Sequence, residues 1–595
     1  MSLFKSVSEG GQIINHGARM FKQVIRIALV FSVLTTGIYF FYKMASLPTV
    51  YYQSAWYYTK ASLTKSFEDK ISVDSHFWRK VSHQSFSQKE IFLRPDHVLK
   101  ICESRSVFLV KKGQTYLKQS LLVFISFFAL ILLLFLCKGI LSRKKIHVEG
   151  QKITAPWKLA FQLKITGKNS PIHLGSLPLL KNSETRHILV SGGSGSGKTN
   201  CFHHILPQVR EQKQRAIIVD TTGTFVEKYY REGKDILLNP FDERSVPWHP
   251  WCECTEVYDY ESLAQSFIPS AQNAEDDFWR KSAQAVFSAA LQVKAEEKKT
   301  SELLRLLLLE PLNTLYHALK ETEAAVSLDP SSEKTAGSIR SVSASFIRCL
   351  KYFEDTETPF SIRDWVINEK DDSWLFLTST PSQRTSLNPL LSSWFSIAMR
   401  SLLQMPEDLQ RRLWFIADEL PKLNKLKDLE GCLTESRKFG GCALLAIQSP
   451  AQLDAIYGIS TAKILMGNCA TRIVFVEQSS EIAYQISKTF GEKETKEYHE
   501  AISYGAHEMR DGVNLSLQNR RSQVVTPTSL ISLNPNEAFV KLAGNLPITK
   551  IKLDYKELPK IAEGFLEKRP IDNPDECMET IETGCKRHRY NELKN

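Results

Sequence analysis

The chain has 595 residues, of which 43% are hydrophobic and 24% charged, with a formal net charge of +11. That length allows two to four domains with large cores, and the ordinary Gly and Pro content excludes a disordered or fibrous chain. The basic balance permits nucleic acid or anionic lipid as a partner and requires neither.

In chain order, two apolar runs come first. Ile27 to Tyr42 carries no charge, and with Arg26 and Lys43 snorkelling at its ends it is long enough to span a bilayer. No small-residue cleavage site follows it, only Met44-Ala45-Ser46. Gln119 to Cys137 is a stronger span, dominated by Leu, Phe and Ile and lacking the polar face of a soluble helix. Lys5, Arg19, Lys22 and Arg26 precede the first run, and Arg143, Lys144 and Lys145 follow the second. The positive-inside tendency therefore puts both ends in the cytoplasm. The chain divides into a cytoplasmic N-terminus (1–23), spans at 24–43 and 119–139, and a small domain across the membrane (44–118), with Trp56, Tyr57 and Tyr58 as interface anchors. Cys102 has no bridging partner in that domain. Cys252 and Cys254, and Cys577 and Cys585 near the end, lack zinc spacing, so most of the chain suits a reducing compartment.

Next comes a nucleotide-binding signature. Arg186 to Val190 reads as a buried strand and leads into Gly192-Gly193-Ser194-Gly195-Ser196-Gly197-Lys198-Thr199, which matches the P-loop pattern. The glycines let backbone N–H groups cradle phosphates at a helix start, Lys198 reaches the β- and γ-phosphates, and the Thr199 hydroxyl binds Mg²⁺. Downstream, Leu413 to Ala417 reads as a fully buried strand ending in Asp418-Glu419. Asp418 suits the Mg²⁺, and Glu419 suits the polarising of an attacking water. An ATP-hydrolysing machine fits this acidic pair better than a metabolic kinase, whose nucleophile is its substrate. The lack of a Leu-Ser-Gly-Gly-Gln run argues against an ABC-type ATPase.

Strand candidates at Ala216–Asp220, Trp374–Thr378, Leu413–Ala417, Ala443–Gln448 and Arg472–Glu477 alternate with helical patterns, which predicts a parallel sheet. Asp220, Asp418 and Gln448 fall at the carboxyl ends, where ligands gather. Residues 247–360 show helical patterns without a confident strand, broken at Glu310-Pro311 and Asp329-Pro330. They read as an all-helical domain inserted between the two parts of an α/β nucleotide-binding domain, 140–246 and 361–555, ahead of a polar tail (556–595). Lys422, Lys425 and Lys427 form a charge run of the kind more often found on a solvated face than lining a pore.

This order of segments resembles the type IV coupling proteins of the TraD/TraG group, most closely those of F-like conjugation systems, over roughly residues 15–555. Leu238 to Ser245, Asp277-Phe278-Trp279 and Glu333 to Arg340 carry the resemblance beyond the P-loop. It implies a RecA-like ATPase core with an inserted all-helical domain, preceded by two transmembrane helices. The implied protein is a multi-pass inner-membrane hexamer with its ATPase domain in the cytoplasm. Using ATP and Mg²⁺, it pumps single-stranded DNA with its relaxase from the relaxosome toward a type IV secretion channel. The resemblance also implies that Arg437 acts on a neighbour's nucleotide and that Gln448 senses the γ-phosphate. Taken alone, Arg437 is an Arg in a basic turn, and Gln448 is equally a buried polar strand end. Thr221-Thr222-Gly223 stands where the family often has Lys before Gly, and the chain ends soon after Pro570, where F-like members carry a long acidic extension that docks the relaxosome. Relaxosome recognition is therefore expected to use another surface or partner. Two alternatives share much of this plan: a receptor for protein effectors, and a double-stranded DNA translocase of the FtsK/HerA type.

Overall fold

The computed structural model describes residues 2–67, 69–142, 146–503 and 512–568. Arg143, Lys144, Lys145, Cys577, Cys585 and the rest of 569–595 lie outside them, as do the side chains of Lys5 and Arg19. The chain forms two compact units, Met1–Ile146 with Lys496–Arg520, and His147–Thr495 with Arg521–Asn595.

The first unit contains two long helices, α1 (Ser2–Ala45) and α4 (Pro95–Ser142). Their apolar stretches leave large side chains such as Phe31, Ile38, Leu122 and Leu136 more than half exposed, a surface that suits lipid rather than water. Met20–Ala45 and Pro95–Ile140 are long and apolar enough to cross a membrane. Between them, α2 (Thr49–Thr64), β1 (Ile71–Asp74), α3 (Ser75–Ser82) and β2 (Glu90–Leu93) fold on a small core. Trp78, Phe77, Val73 and Ile91 pack there with Val98 and Cys102 of α4. Asp74 fixes the start of α3 by accepting from the backbone N–H groups of His76 and Phe77.

The second unit is built on a ten-stranded sheet. Its strands in chain order are β3 (Ile153–Thr154), β4 (Ile188–Ser191), β5 (Arg215–Asp220), β6 (Ile236–Leu238), β7 (Trp374–Thr378), β8 (Leu413–Ala417), β9 (Gly441–Ile447), β10 (Thr471–Val474), β11 (Glu537–Lys541) and β12 (Ile548–Lys552). The spatial order is β3-β12-β11-β10-β4-β9-β8-β5-β7-β6, parallel from β10 to β6 and antiparallel where β11 joins β10 and β12. Every residue of β4, β5, β7, β8 and β9 is buried, as a parallel sheet covered on both faces requires.

Helix α5 (Lys198–Glu211) covers one face, with Phe202, Ile205 and Leu206 packed on Val190, Ile218 and Trp414. The helices α6 (Thr224–Tyr229), α7 (Val257–Phe267), α8 (Ala274–Val293) and α9 (Glu333–Ile347) follow, and no strand occurs between β6 and β7. Helix α10 (Arg384–Leu403) lies between these helices and the second face of the sheet, buried through most of its length. Trp248 stands edge-on to Trp394 of α10 at 5.6 Å. The helical segment therefore shares one continuous core with that sheet face.

Residues 556–568, assigned above to the tail, lie against the core instead. Main-chain hydrogen bonds hold them: Ile561 N–H donates to Glu227 O at 2.8 Å, Glu243 N–H to Leu566 O at 2.9 Å, and Lys568 N–H to Phe241 O at 2.9 Å. Bonds of this kind leave no apolar periodicity in the sequence to read.

Candidate functional site

The P-loop leaves β4 near the middle of the sheet, and two glycines make its path possible. Gly192 (φ +151°) turns the chain against Phe475, and a Cβ there would stand 2.7 Å from the Phe475 Cβ. Gly197 (φ +112°) opens α5, and a Cβ there would stand 2.5 Å from Asn536 Oδ1. Gly193 N–H donates to Val476 O at 2.9 Å, and Asn536 N–H donates to Ser196 O at 2.9 Å, so the loop is pinned on both sides. Ser194 and Gly195 form its exposed tip. Lys198 Nζ donates to the carbonyls of Gly192 and Gly193 at 2.8 and 2.9 Å, closing over its own loop. Burial pulls that ammonium below the usual lysine range, while the charges of Asp418, Glu419 and Glu477 push it back.

Strand β9 separates β4 from β8, so Asp418 emerges about two strand spacings, roughly 10 Å, from the P-loop strand. The side chains close that gap: the Thr199 hydroxyl donates to Asp418 Oδ2 at 2.8 Å. Burial raises the Asp418 carboxyl above its ordinary range, with Thr199 and Lys198 opposing. Its Oδ1 is buried and has no hydrogen-bond partner. A divalent cation would satisfy that oxygen. The donor set of one hydroxyl and one carboxylate fits Mg²⁺, which keeps several waters and borrows phosphate oxygens. Gln448 follows β9, the strand between, and its Nε2 donates to Glu419 Oε1 at 2.7 Å. Lys422 forms an ion pair with the other oxygen of Glu419.

Arg437 is apart from this cluster. It is exposed in the turn Ser436–Phe439, ahead of the first residue of β9. The seven residues of β9 separate it from Gln448 by roughly 23 Å. Gly440 (φ +79°) sets this turn, because a Cβ there would stand 2.2 Å from Arg411 O.

Three nearby residues escaped the sequence reading as site residues. Glu477 has a buried, unpartnered Oε2, and its charge raises the pKa of Lys198. It ends a predicted strand, the same signal that marked Asp418. Asn200 and Asn536 join at 3.1 Å to wall the loop, but they lie 336 residues apart and carry no local signal.

The sequence model for the type IV secretion-system coupling protein DNA-binding domain matches residues 171–554. The chain belongs to the type IV secretion-system coupling proteins. It is 31% identical over 583 residues to coupling protein TraD of Escherichia coli (strain K12), covering 95% of this chain and 80% of TraD. Among solved structures, the unbound bacterial conjugative coupling protein TrwB lacking its N-terminal segment superposes with a TM-score of 0.65 at 27% identity, covering 71% of this chain and 97% of TrwB. TrwB in complex with ADP and Mg²⁺ gives 0.64 at 26% identity, covering 71% and 98%. The coupling protein thus has a RecA-like P-loop core with a helical segment inserted between β6 and β7.

Proposed function

We propose that this coupling protein hydrolyses ATP with Mg²⁺ at the P-loop and uses the energy to pump single-stranded DNA, with its attached relaxase, from the relaxosome toward a type IV secretion channel. The observation that carries this reading is the 2.8 Å bond between Thr199 and Asp418, which joins residues 219 positions apart at the mouth of the glycine turn. In this reading Lys198 and the loop N–H groups bind the β- and γ-phosphates. Thr199 and Asp418 would hold Mg²⁺, which would neutralise phosphate charge there. Glu419 orients the attacking water, and Gln448, bonded to Glu419, relays the state of the γ-phosphate.

Because Arg437 sits about a strand's length from its own Gln448, roughly 23 Å, it serves a neighbour's site in a homo-hexamer. Hydrolysis then depends on assembly. The helices Met20–Ala45 and Pro95–Ile140 cross the inner membrane, placing the small N-terminal core outside the cytoplasm and the ATPase domain inside.

The test is ATP hydrolysis by the full chain with and without single-stranded DNA. Strong stimulation, abolished in Lys198→Ala, is the expected result, whereas indifference to DNA in assembled rings would favour a receptor for protein effectors. Mixing inactive Glu419→Gln subunits with inactive Arg437→Ala subunits should restore some hydrolysis. No rescue in confirmed mixed rings would remove Arg437 from its role.

A further inference from the structure

Beyond Glu419 the chain enters a polar cavity of about 520 Å³, where the turn 421–425 meets the start of α8 and Phe346 of α9. Three cations line it, Lys422, Lys425 and Arg280, against one carboxylate, Asp276. That carboxylate accepts from Asn273 Nδ2 at 2.9 Å within the cap of α8. Lys425 makes no ion pair among the described residues, although with Lys281, the larger influence, it helps hold the nearby Asp277 carboxyl below its ordinary range, and Arg280 lies over the Phe346 ring at 5.4 Å. The backbone of the turn is fixed to α10: Asn388 Nδ2 donates to Lys422 O at 2.9 Å, and Asn424 N–H donates to Ser392 Oγ at 2.9 Å. The Lys422 side chain, 25% exposed, is therefore the part free to swing between the cavity and Glu419.

We infer that this cavity grips the phosphodiester backbone of the transported strand, and that a phosphate drawing Lys422 away from Glu419 releases the carboxylate that orients the attacking water. The inference rests on the reading of this chain as a DNA-pumping ATPase. A carboxylate held by an ammonium on one oxygen and an amide N–H on the other has both oxygens engaged and less room to receive a water. Lysine is a flexible point charge, so exchanging a carboxylate for a phosphate needs only a change of rotamer. Excess positive charge beside an aromatic ring is the chemistry that holds a single strand without reading its sequence.

The experiment uses the full chain in detergent micelles, with ATP hydrolysis titrated against a thymidine oligonucleotide. Lys422→Ala and Lys422→Gln should each raise the rate without DNA about tenfold and leave little further stimulation, and Lys422→Arg should restore the wild-type pattern. Lys425→Ala should raise the oligonucleotide concentration needed for half-stimulation and lower the salt slope of binding by about 0.7, the loss of one phosphate contact on a single strand. Wild-type behaviour in both Lys422 variants, or loss of the DNA-free rate in both, overturns the inference while leaving the pump intact. Equal stimulation by inorganic phosphate or poly-glutamate overturns the assignment to a strand. If the wild type gains nothing from the oligonucleotide, the pump reading falls and the inference falls with it.

Discussion

Two aspartates leave the sheet side by side and meet opposite fates. Ala417 pairs with Val219 in register, so Asp418 and Asp220 emerge from neighbouring strands at the same edge. Asp220 is saturated: its Oδ1 accepts from the N–H groups of Thr222 and Gly223 at 3.0 and 2.8 Å, and its Oδ2 from Phe225 and Val226 at 2.7 and 3.0 Å. Asp418 accepts one hydroxyl and keeps a buried oxygen without a partner. The two share residue type and topological position, yet one builds a loop and the other waits for a ligand. Position at a carboxyl edge marks where a site can be, and at this edge the unpartnered oxygen of Asp418 separates the two aspartates.

The sharpest test of this contrast is Asp418→Asn, which should lower the rate of phosphate release by about 10²–10³-fold. Because burial raises the Asp418 carboxyl above its unfolded value, its charge costs stability at neutral pH. The melting temperature of Asp418→Asn should therefore hold or rise. Asp220→Ala should do the reverse, removing an acceptor of four backbone donors at a cost of about 3 kcal/mol, read as a fall of several degrees in melting temperature. If Asp220→Ala melts normally and loses hydrolysis, the two aspartates have been assigned the wrong way round.

A smaller effect concerns His187, another saturated group. Its Nε2 lies 3.0 Å from Leu433 O, and its Nδ1 accepts from Ala443 N–H at 3.1 Å. Burial holds its pKa down to about 4. A depressed imidazole pKa means that the unfolded chain binds the proton first, so this contribution is complete above about pH 6.5 and shrinks as pH falls toward 4. The loss is about 2 kcal/mol by pH 5. Melting curves from pH 7 to 5 should show that decline flattened in part in His187→Asn, with His203, also held to about 4, and His204 and His249, held low by burial, retaining the rest.

What the sequence disclosed follows the range of the signal. The P-loop and the strand Leu413–Ala417 are contiguous patterns, and the central strands stood out because burial on both faces makes them continuous apolar runs. The strands β11 and β12, beside the β3 edge, read poorly: Glu537–Lys541 and Ile548–Lys552 mix charge with apolar residues because part of each reaches toward solvent. The pairing of Lys422 with Glu419 was also hidden, since a lysine in a run of three reads as solvated until the turn that folds it back is known. Residues 556–568 scatter a few apolar side chains among charges and a proline, and backbone hydrogen bonds fix them where no regular pattern points.

Helix α4 carries one more consequence. Its 48 residues extend about 72 Å, more than twice the roughly 30 Å of a bilayer's hydrocarbon core. Val98 and Cys102 near its start belong to the small core around Trp78, and no proline interrupts the helix thereafter. The folded knob and the apolar stretch are thus parts of one continuous helix, with Gly113 between them. A tilt imposed on the knob would therefore be felt along the apolar stretch of the same helix.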